Sequence, residues 1–291
     1  MIAELLTVIA PVVICAAIGF LWSRRGEPFD VGQVTRISVT LGTPCLIVWT
    51  FEQTRPEPDV FLEIAAAITF AFVGFAALGY LALKLARLDV RNFLPALVFP
   101  NTGNMGLPLC FFAFGDAGLA FAIVIFTVSA LGNFTFGASL ARGSARLADL
   151  ARMPALYAVP IGLLLIVGDL HLPAWIANTV ELLAGLTIPL MLLALGVSLS
   201  RLSISSLWRS TALSLLRLVG GFAIGVLAAW IFGLEGTARG VLILQCSMPT
   251  AVFNYLFAER YGRAPSEVAG MVLVSTLLSF ATLPLLLWYL L

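Results

Sequence analysis

The sequence PNTGNMGLP at residues 100–108 interrupts a long apolar run, and SMPTAVFN at residues 247–254 does the same in the other half of the chain. Inside a bilayer every backbone N–H and C=O group needs a partner. Proline, glycine and asparagine at that depth are therefore tolerated chiefly where unwound backbone is shielded by protein or lines a watery cavity. Paired interruptions in corresponding places of two halves are typical of a transporter binding site. We expect the substrate site where these two segments lie.

The composition is that of an integral membrane protein. The chain of 291 residues is 61% apolar and 11% charged, with a mean hydropathy of +1.06, whereas roughly a quarter of the residues of a soluble domain are charged. A membrane-spanning helix needs about 20 residues, and no stretch between the apolar ones is long enough for a soluble domain. We predict an all-α polytopic membrane protein with ten transmembrane helices, at residues 4–22, 33–51, 60–83, 93–113, 117–140, 154–168, 174–199, 205–232, 238–258 and 266–290.

Basic residues are distributed unevenly between the connections. Thirteen of them flank the odd-numbered connections, whereas two, Arg55 and Arg239, lie in even-numbered ones. Cytosolic connections of membrane proteins carry an excess of Lys and Arg. The odd-numbered connections are therefore predicted to be cytosolic, with the N-terminus and the C-terminus both outside.

The two halves of the chain share a weak internal similarity. Because each half holds five spans, an odd number, the second half enters the membrane from the opposite side, as in a 5+5 inverted repeat. The predicted units are residues 1–141, a cytosolic connection at 142–153, and residues 154–291. Chance matches are the alternative, since glycine and proline are common in membrane helices. The matching positions, at offsets growing from 143 to 149 residues, are Pro11 and Gly19 with Pro154 and Gly162, Pro44 with Pro189, Gly74 and Gly79 with Gly220 and Gly225, and Pro100 with Pro249.

The sequence resembles the auxin efflux carrier family, particularly its short bacterial members, in its ten spans and in three motifs. These motifs are the segment 100–108, Pro44 in the second span, and Met248-Pro249-Thr250 followed by Asn254 in the ninth. The resemblance implies the fold of plant PIN-FORMED carriers and, more distantly, of bile-acid sodium symporters. In that fold spans four and nine are broken, here near Pro100 and Pro249, and cross at the membrane centre.

The resemblance also implies an activity and a location. Family members move small organic anions, largely carboxylates, without ATP, and the expected mechanism is elevator-type alternating access. Spans one, two, six and seven would form a static panel through which dimers associate, and the other six would form the moving bundle. We therefore expect an organic anion as substrate, membrane lipid and a second copy of the chain as partners, and the bacterial inner membrane as the location.

Polar side chains cluster around both interruptions. A half-helix that begins at such a break presents free N–H groups and the positive end of its dipole to an anion. We predict that these side chains and amides bind the substrate; the alternative is that they hydrogen-bond neighbouring helices. The candidate substrate-binding residues are Asn101, Thr102, Asn104, Gln245, Thr250, Asn254 and Thr43. The residues expected to shape the crossing are Pro100, Gly103, Gly106, Pro249, Pro44 and Pro189.

Glu181 and Arg217 lie well inside predicted spans. Ionisable residues at that depth are costly and are functional candidates for that reason. Glu181 is a candidate for proton coupling. Arg217 is a candidate for attracting an anionic substrate, with pairing to lipid headgroups as its alternative.

Several other functions lack the residues that they need. His171 is the one histidine, so a metalloprotease His pair cannot form, and no Gly-rich phosphate loop with Lys is present. The four cysteines fall within spans at unpaired spacing. We expect no enzyme activity, cofactor, metal or nucleic-acid partner. A sodium-coupled symporter of the bile-acid type and a non-transporting ligand sensor are the alternatives; because no carboxylate lies near Pro249, proton coupling or uniport is favoured.

Overall fold

The computed structural model describes residues 2–55, 57–142 and 154–291. These residues form helices joined by short connections, with no extended strand among them. The predicted connection at 142–153 lies outside the described residues, apart from Arg142. The helices before it are α1 (Ile2–Arg24), α2 (Val31–Ile37), α3 (Thr43–Thr54), α4 (Pro58–Leu85), α5 (Val90–Val98), α6 (Leu107–Gly132) and α7 (Ala138–Arg142). Those after it are α8 (Ala155–Val167), α9 (Ala174–Gly185), α10 (Thr187–Arg201), α11 (Leu207–Ile231), α12 (Gly236–Cys246), α13 (Val252–Tyr261) and α14 (Pro265–Leu290).

Local sequence signals account for many of the helix ends. The side chain of Asp30 caps α2 by accepting from the N–H of Gln33 at 3.0 Å, as capping residues do for otherwise unpaired first-turn donors. Pro58 and Pro265 each begin a helix, where the missing N–H is not needed. Gly262 ends α13 with a φ of +64°, a conformation that glycine adopts without strain.

Seven helical stretches of the described chain are long and apolar enough to cross a membrane. Three of them join consecutive helices: π-helical turns at Ser38–Gly42 and Asn133–Gly137 continue the preceding helix without a break, and Leu186 alone separates α9 from α10. The all-α prediction is confirmed. The seven stretches are Leu5–Arg24, Val31–Thr54, Asp59–Leu85, Thr102–Leu140, Ala174–Arg201, Leu207–Ile231 and Pro265–Leu290.

The remaining predicted spans are interrupted or short. Predicted span 93–113 is divided between α5 and α6, and predicted span 238–258 is divided between α12 and α13. Predicted span 154–168 corresponds to α8, which has 13 residues. Gly115 separates predicted spans four and five inside α6 with φ +66° and ψ −157°, a backbone conformation essentially restricted to glycine.

Small residues bring the predicted panel helices into close contact. α1 packs against α10, and α3 packs against α8 and α9. A Cβ on Gly196 of α10 would lie 1.8 Å from the carbonyl oxygen of Ala16, and one on Gly19 of α1 would lie 2.2 Å from a backbone oxygen of α10. A Cβ on Gly162 of α8 would lie 2.3 Å from the ring of Phe51. Such close approach through small residues is how membrane helices associate.

The outer surface of this helix assembly is apolar. Trp175, Trp208 and Trp230 are 73%, 84% and 78% exposed, and Leu62 and Leu285 are similarly open at 71% and 68%. Large apolar side chains are exposed on most of the long helices, and a soluble monomer rarely exposes apolar surface on this scale. The surface is therefore suited to hydrocarbon rather than to water.

Replacing Gly196 by alanine should lower the midpoint of thermal unfolding in detergent. The added methyl group would overlap the backbone of α1, and overpacking of this kind costs about 1–3 kcal/mol. Gly185→Ala is the matched control, because nothing lies within 4 Å of a Cβ at that position. Equal midpoints for the two variants would contradict the described packing of α1 on α10.

Candidate functional site

The two predicted interruptions meet inside the helix assembly. Pro100 and Thr250 face each other as an antiparallel β-bridge. The N–H of Asn101 donates to the carbonyl oxygen of Pro249 at 2.7 Å. We call this contact, formed by residues 96–102 and 245–254, the junction.

Side chains from one segment satisfy the backbone of the other. Pro100 has no N–H, so the carbonyl of Ala96, four residues earlier, lacks its helical donor. The hydroxyl of Thr250 donates to that carbonyl at 3.0 Å. The Nδ2 of Asn254 donates to the carbonyl of Phe99 at 2.9 Å. Two of the predicted substrate-binding side chains therefore also hold the junction together.

Arg217 of α11 is 1% exposed and lies against the junction. Its guanidinium donates to the carbonyl of Leu97 at 2.6 Å, to that of Met248 at 3.3 Å, and to that of Cys246. It also lies over the ring of Phe75 on α4, 4.2 Å from the centroid. The last carbonyls of a helix have no donor within it, so Arg217 satisfies the C-terminal ends of α5 and α12 together.

Four buried amide atoms at the junction have no hydrogen-bond partner of ordinary geometry among the described residues. They are Nδ2 of Asn101, Oδ1 of Asn254, and both Oε1 and Nε2 of Gln245, beside which the weakly hydrogen-bonding thiol of Cys110 also lies. The Gln245 amide packs on the backbone of the π-helical turn Thr102–Gly106, since a Cβ on Gly106 would lie 2.2 Å from Oε1. An unpaired buried polar group costs about 1–3 kcal/mol, and native proteins contain few. This concentration makes the junction the candidate ligand site.

Comparison with known proteins identifies the family. A family model described as membrane transport protein matches residues 5–146 and 143–289. The chain belongs to this family. The predicted resemblance to auxin efflux carriers is confirmed, and the protein is an integral membrane transporter and not an enzyme.

Similar proteins come from archaea and from a plant. An uncharacterized transporter of Methanocaldococcus jannaschii is 26% identical over 277 residues, which cover 89% of each chain. Another, from Methanothermobacter thermautotrophicus, is 26% identical over 269 residues, 88% of each chain. Auxin efflux carrier component 1 of Arabidopsis thaliana is 28% identical over 124 residues, 42% of this chain and 20% of the plant protein.

The π-helical turn of this transporter carries two further predicted substrate-binding residues. Thr102 is buried and Asn104 is half-buried. Gly103 packs on an aromatic ring, because a Cβ there would lie 3.0 Å from Cε2 of Phe126. π-helical turns are rare and are frequent at functional sites. This turn also contacts α10, so it lies between α10 and α12.

The predicted residues outside the two interruptions are placed differently in the transporter. The hydroxyl of Thr43 is buried and donates to the carbonyl of Ser38 at 2.9 Å. This hydrogen bond stays within the same stretch of chain and does not reach the junction. Pro44 is half-buried, whereas Pro189 and Glu181 are exposed. The structure therefore gathers Asn101, Gln245, Thr250 and Asn254 with Arg217 at the junction, but the described contacts do not bring these other residues to it.

Two residues at the junction were missed by sequence reasoning. The Oγ of Ser275 on α14 accepts from the N–H of Thr250 at 3.1 Å, and Phe75 underlies Arg217. A serine and a phenylalanine in apolar spans carry no signal of their own. Arg217 could be singled out because a charge at that depth is rare. No cluster of three or more His, Cys, Asp or Glu side chains able to hold a metal ion occurs in the described part of this transporter.

Replacing Thr250 by valine should destabilise the transporter. The change keeps the shape of the side chain but leaves the carbonyl of Ala96 without its donor, at a cost of about 1–3 kcal/mol. Thr127→Val is the matched control, because that buried hydroxyl donates at 2.8 Å to the carbonyl of Ile123 four residues earlier in a continuous helix. The midpoint of thermal unfolding should fall clearly for Thr250→Val and little for Thr127→Val. The reverse order would show that the hydroxyl is not needed at the junction.

Proposed function

We propose that the protein is a secondary transporter of small organic anions and that it binds the substrate carboxylate at the junction. The proposal is carried by the unpaired buried amides of Asn101, Gln245 and Asn254. Nδ2 of Asn101 and Nε2 of Gln245 are donors, which a carboxylate can accept from. Oε1 of Gln245 and Oδ1 of Asn254 are acceptors and suit a hydroxyl or N–H group elsewhere on the substrate.

The helix ends at the junction favour a single negative charge. The π-helical turn Thr102–Gly106 and α13 both begin there. The N-terminus of a helix carries about half a positive elementary charge, so the two together attract one anionic group. Half-helix N-termini bind substrate carboxylates in other transporters with discontinuous helices. A monocarboxylate, or one carboxylate of a dicarboxylate, is the substrate group that matches this charge.

Ten spans in a 5+5 inverted repeat, with broken spans four and nine crossing, form the proposed architecture. The element order supports it, because one long helix and two helices flanking an interruption occur in the same order in both halves. They are α4, α5 and α6 in the first half and α11, α12 and α13 in the second. The packing supports it too: α1 pairs with α10, and α8, the counterpart of α1, pairs with α3. Gly19 and Gly162, which match in sequence, are the close-contact residues of these two pairs.

An elevator-type movement of the junction against a static panel is the proposed mechanism. Helices α1, α2, α3, α8, α9 and α10 form the panel, and the remaining helices form the bundle. The π-helical turn of the bundle packs on α10 of the panel, so a substrate bound at Asn101 would lie along the surface between the two parts. Sliding of the bundle along that surface would expose the substrate to one side and then to the other.

We propose proton-coupled transport or uniport, in a homodimer in the bacterial inner membrane. The unpaired groups at the junction are two amide oxygens and two amide nitrogens, with no carboxylate among them, whereas a hard cation is held by several oxygens that often include a carboxylate. Glu181 on α9 stays the candidate for proton coupling. Uptake into proteoliposomes with a sodium gradient, a proton gradient or neither separates these modes.

The substrate class can be tested by binding followed by transport. Thermal unfolding of the purified protein should be shifted upward by a subset of mono- and dicarboxylates, and the corresponding amides and methyl esters should have no effect. A radiolabelled acid that binds should then accumulate inside sealed proteoliposomes. Binding without accumulation would favour a ligand sensor, and stabilisation by the uncharged esters instead of the acids would contradict an anion site.

Replacing Asn101 by alanine should weaken carboxylate binding by about 10- to 150-fold. The estimate follows from losing one hydrogen bond to a charged group, about 1.5–3 kcal/mol, at tenfold for each 1.4 kcal/mol. Asn178→Ala, on the exposed face of α9, is the control and should bind as the unmodified protein does. Affinity is measured by titration of the acid that gives the largest thermal shift. An unchanged affinity for Asn101→Ala in a folded protein would assign this amide to helix packing.

The proposed orientation predicts the sides of two exposed loop residues. With the four cysteines replaced, Ser205→Cys should be labelled by a membrane-impermeant maleimide after cell lysis and not in intact cells. His171→Cys should be labelled in intact cells, because the loop before α9 is predicted to lie outside. Both side chains are exposed in the structure. The opposite pattern would invert the orientation.

A further inference from the structure

Arg217 fills a cluster of backbone carbonyls that belongs to two separate helices. We define the carbonyl cluster as the C=O groups of Leu97, Val98, Cys246 and Met248, each of which accepts from the guanidinium. Converging oxygens of this kind are the ligands that hard cations take in proteins. Here the position is occupied by a side chain of the protein.

The charge of Arg217 is balanced by helix ends and not by a carboxylate. Among the described residues, no Asp or Glu forms an ion pair with it. The C-terminus of a helix carries about half a negative elementary charge, and α5 and α12 both end at the carbonyl cluster. Together they supply about one negative charge, which the guanidinium matches. A buried charge without such compensation would be strongly destabilising.

Small residues near Arg217 allow α11 and α12 to pack closely, and an aromatic residue covers one face of its guanidinium. Gly221, one turn along α11, allows α12 to approach, because a Cβ there would lie 2.2 Å from the carbonyl oxygen of Cys246. Gly225 has a similar role, since its Cβ would lie 3.2 Å from the Cα of Ile243. Phe75 covers the other face of the guanidinium. A cation over an aromatic face is stabilised more strongly in a desolvated site than at an exposed one.

We propose that Arg217 is a resident cation, a positioning residue that holds the two interrupted helices at the junction and occupies the place where a free coupling cation would bind. The two negative helix ends are then neutralised permanently, and the two positive helix ends remain for the substrate anion. The junction is complete without sodium. Sodium-independent transport follows from this and rests on the proposed function, whereas the positioning role does not.

The test uses thermal unfolding of the purified full chain in detergent without substrate, in equal concentrations of sodium chloride or choline chloride. The unmodified protein should have the same midpoint in both salts. Arg217→Met, which keeps an unbranched side chain but removes the charge, should lower the midpoint in choline by more than about 5 °C. Sodium should recover part of that loss, because the vacated carbonyl cluster can take a small cation. Arg217→Lys should retain a larger part of the stability than Arg217→Met in choline.

Arg209→Met is the matched control. Arg209 lies on the same helix, is 43% exposed and pairs with Glu267, so its loss should shift the midpoint little and without a sodium effect. A midpoint of the unmodified protein that is raised by sodium over choline would overturn the proposal. So would an Arg217→Met variant that is as stable as the unmodified protein in choline, or one that gains nothing from sodium. If Arg217→Met does not fold, the same comparison is made with Arg217→Lys and Phe75→Leu. Both variants should fold with lowered midpoints. Undiminished stability of both would overturn the proposal. Failure of the carboxylate screen would leave these salt-dependent shifts unaffected and would count against the proposed function alone.

Discussion

The need to satisfy unpaired backbone groups in an apolar interior is the constraint on which this structure depends. Two prolines stop two helices inside the protein, and every carbonyl released there needs a donor. The donors come from elsewhere: the hydroxyl of Thr250 for Ala96, the side chain of Asn254 for Phe99, and Arg217 for both helix ends. Because each donor belongs to a different segment from its acceptor, satisfying the backbone also ties the two halves of the chain together.

The same arrangement places negative helix C-termini and positive helix N-termini within a few residues of each other. Helices α5 and α12 end near the junction, and the π-helical turn Thr102–Gly106 and α13 begin within a few residues of those ends, so backbone partial charges of opposite sign lie close together in the chain. A fixed cation compensates the negative ends. In the proposed transporter, a substrate anion compensates the positive ends only while it is bound. The contrast accounts for the carbonyls of Leu97, Cys246 and Met248 accepting from Arg217, whereas amide atoms of Asn101 and Gln245 are left unpaired.

The two halves are alike in element order but differ in chemistry. The position that corresponds to Arg217 at the repeat offset of this region is Ala71 on α4, a small buried residue. The turn after Pro100 is π-helical and rich in glycine, whereas the helix after Pro249 is the α-helix α13, which begins at Val252. The proposed repeat would account for the shared element order. The proposed substrate site, however, combines unlike contributions from the two halves, so symmetry alone does not predict which residues form it.

The sequence by itself determined that the chain is an all-helical membrane protein, where its helices are interrupted, and that Asn101, Gln245, Thr250, Asn254 and Arg217 are residues of interest. These features follow from hydropathy, from the missing N–H of proline and from the cost of burying polar groups, all of which act locally. Only the tertiary structure decided what each residue does. Thr250 and Asn254 hold backbone carbonyls, Arg217 joins two helix ends, and Ser275 and Phe75 support them from α14 and α4. These partners are distant in sequence, and hydrogen-bond assignment depends on which groups packing brings within about 3 Å.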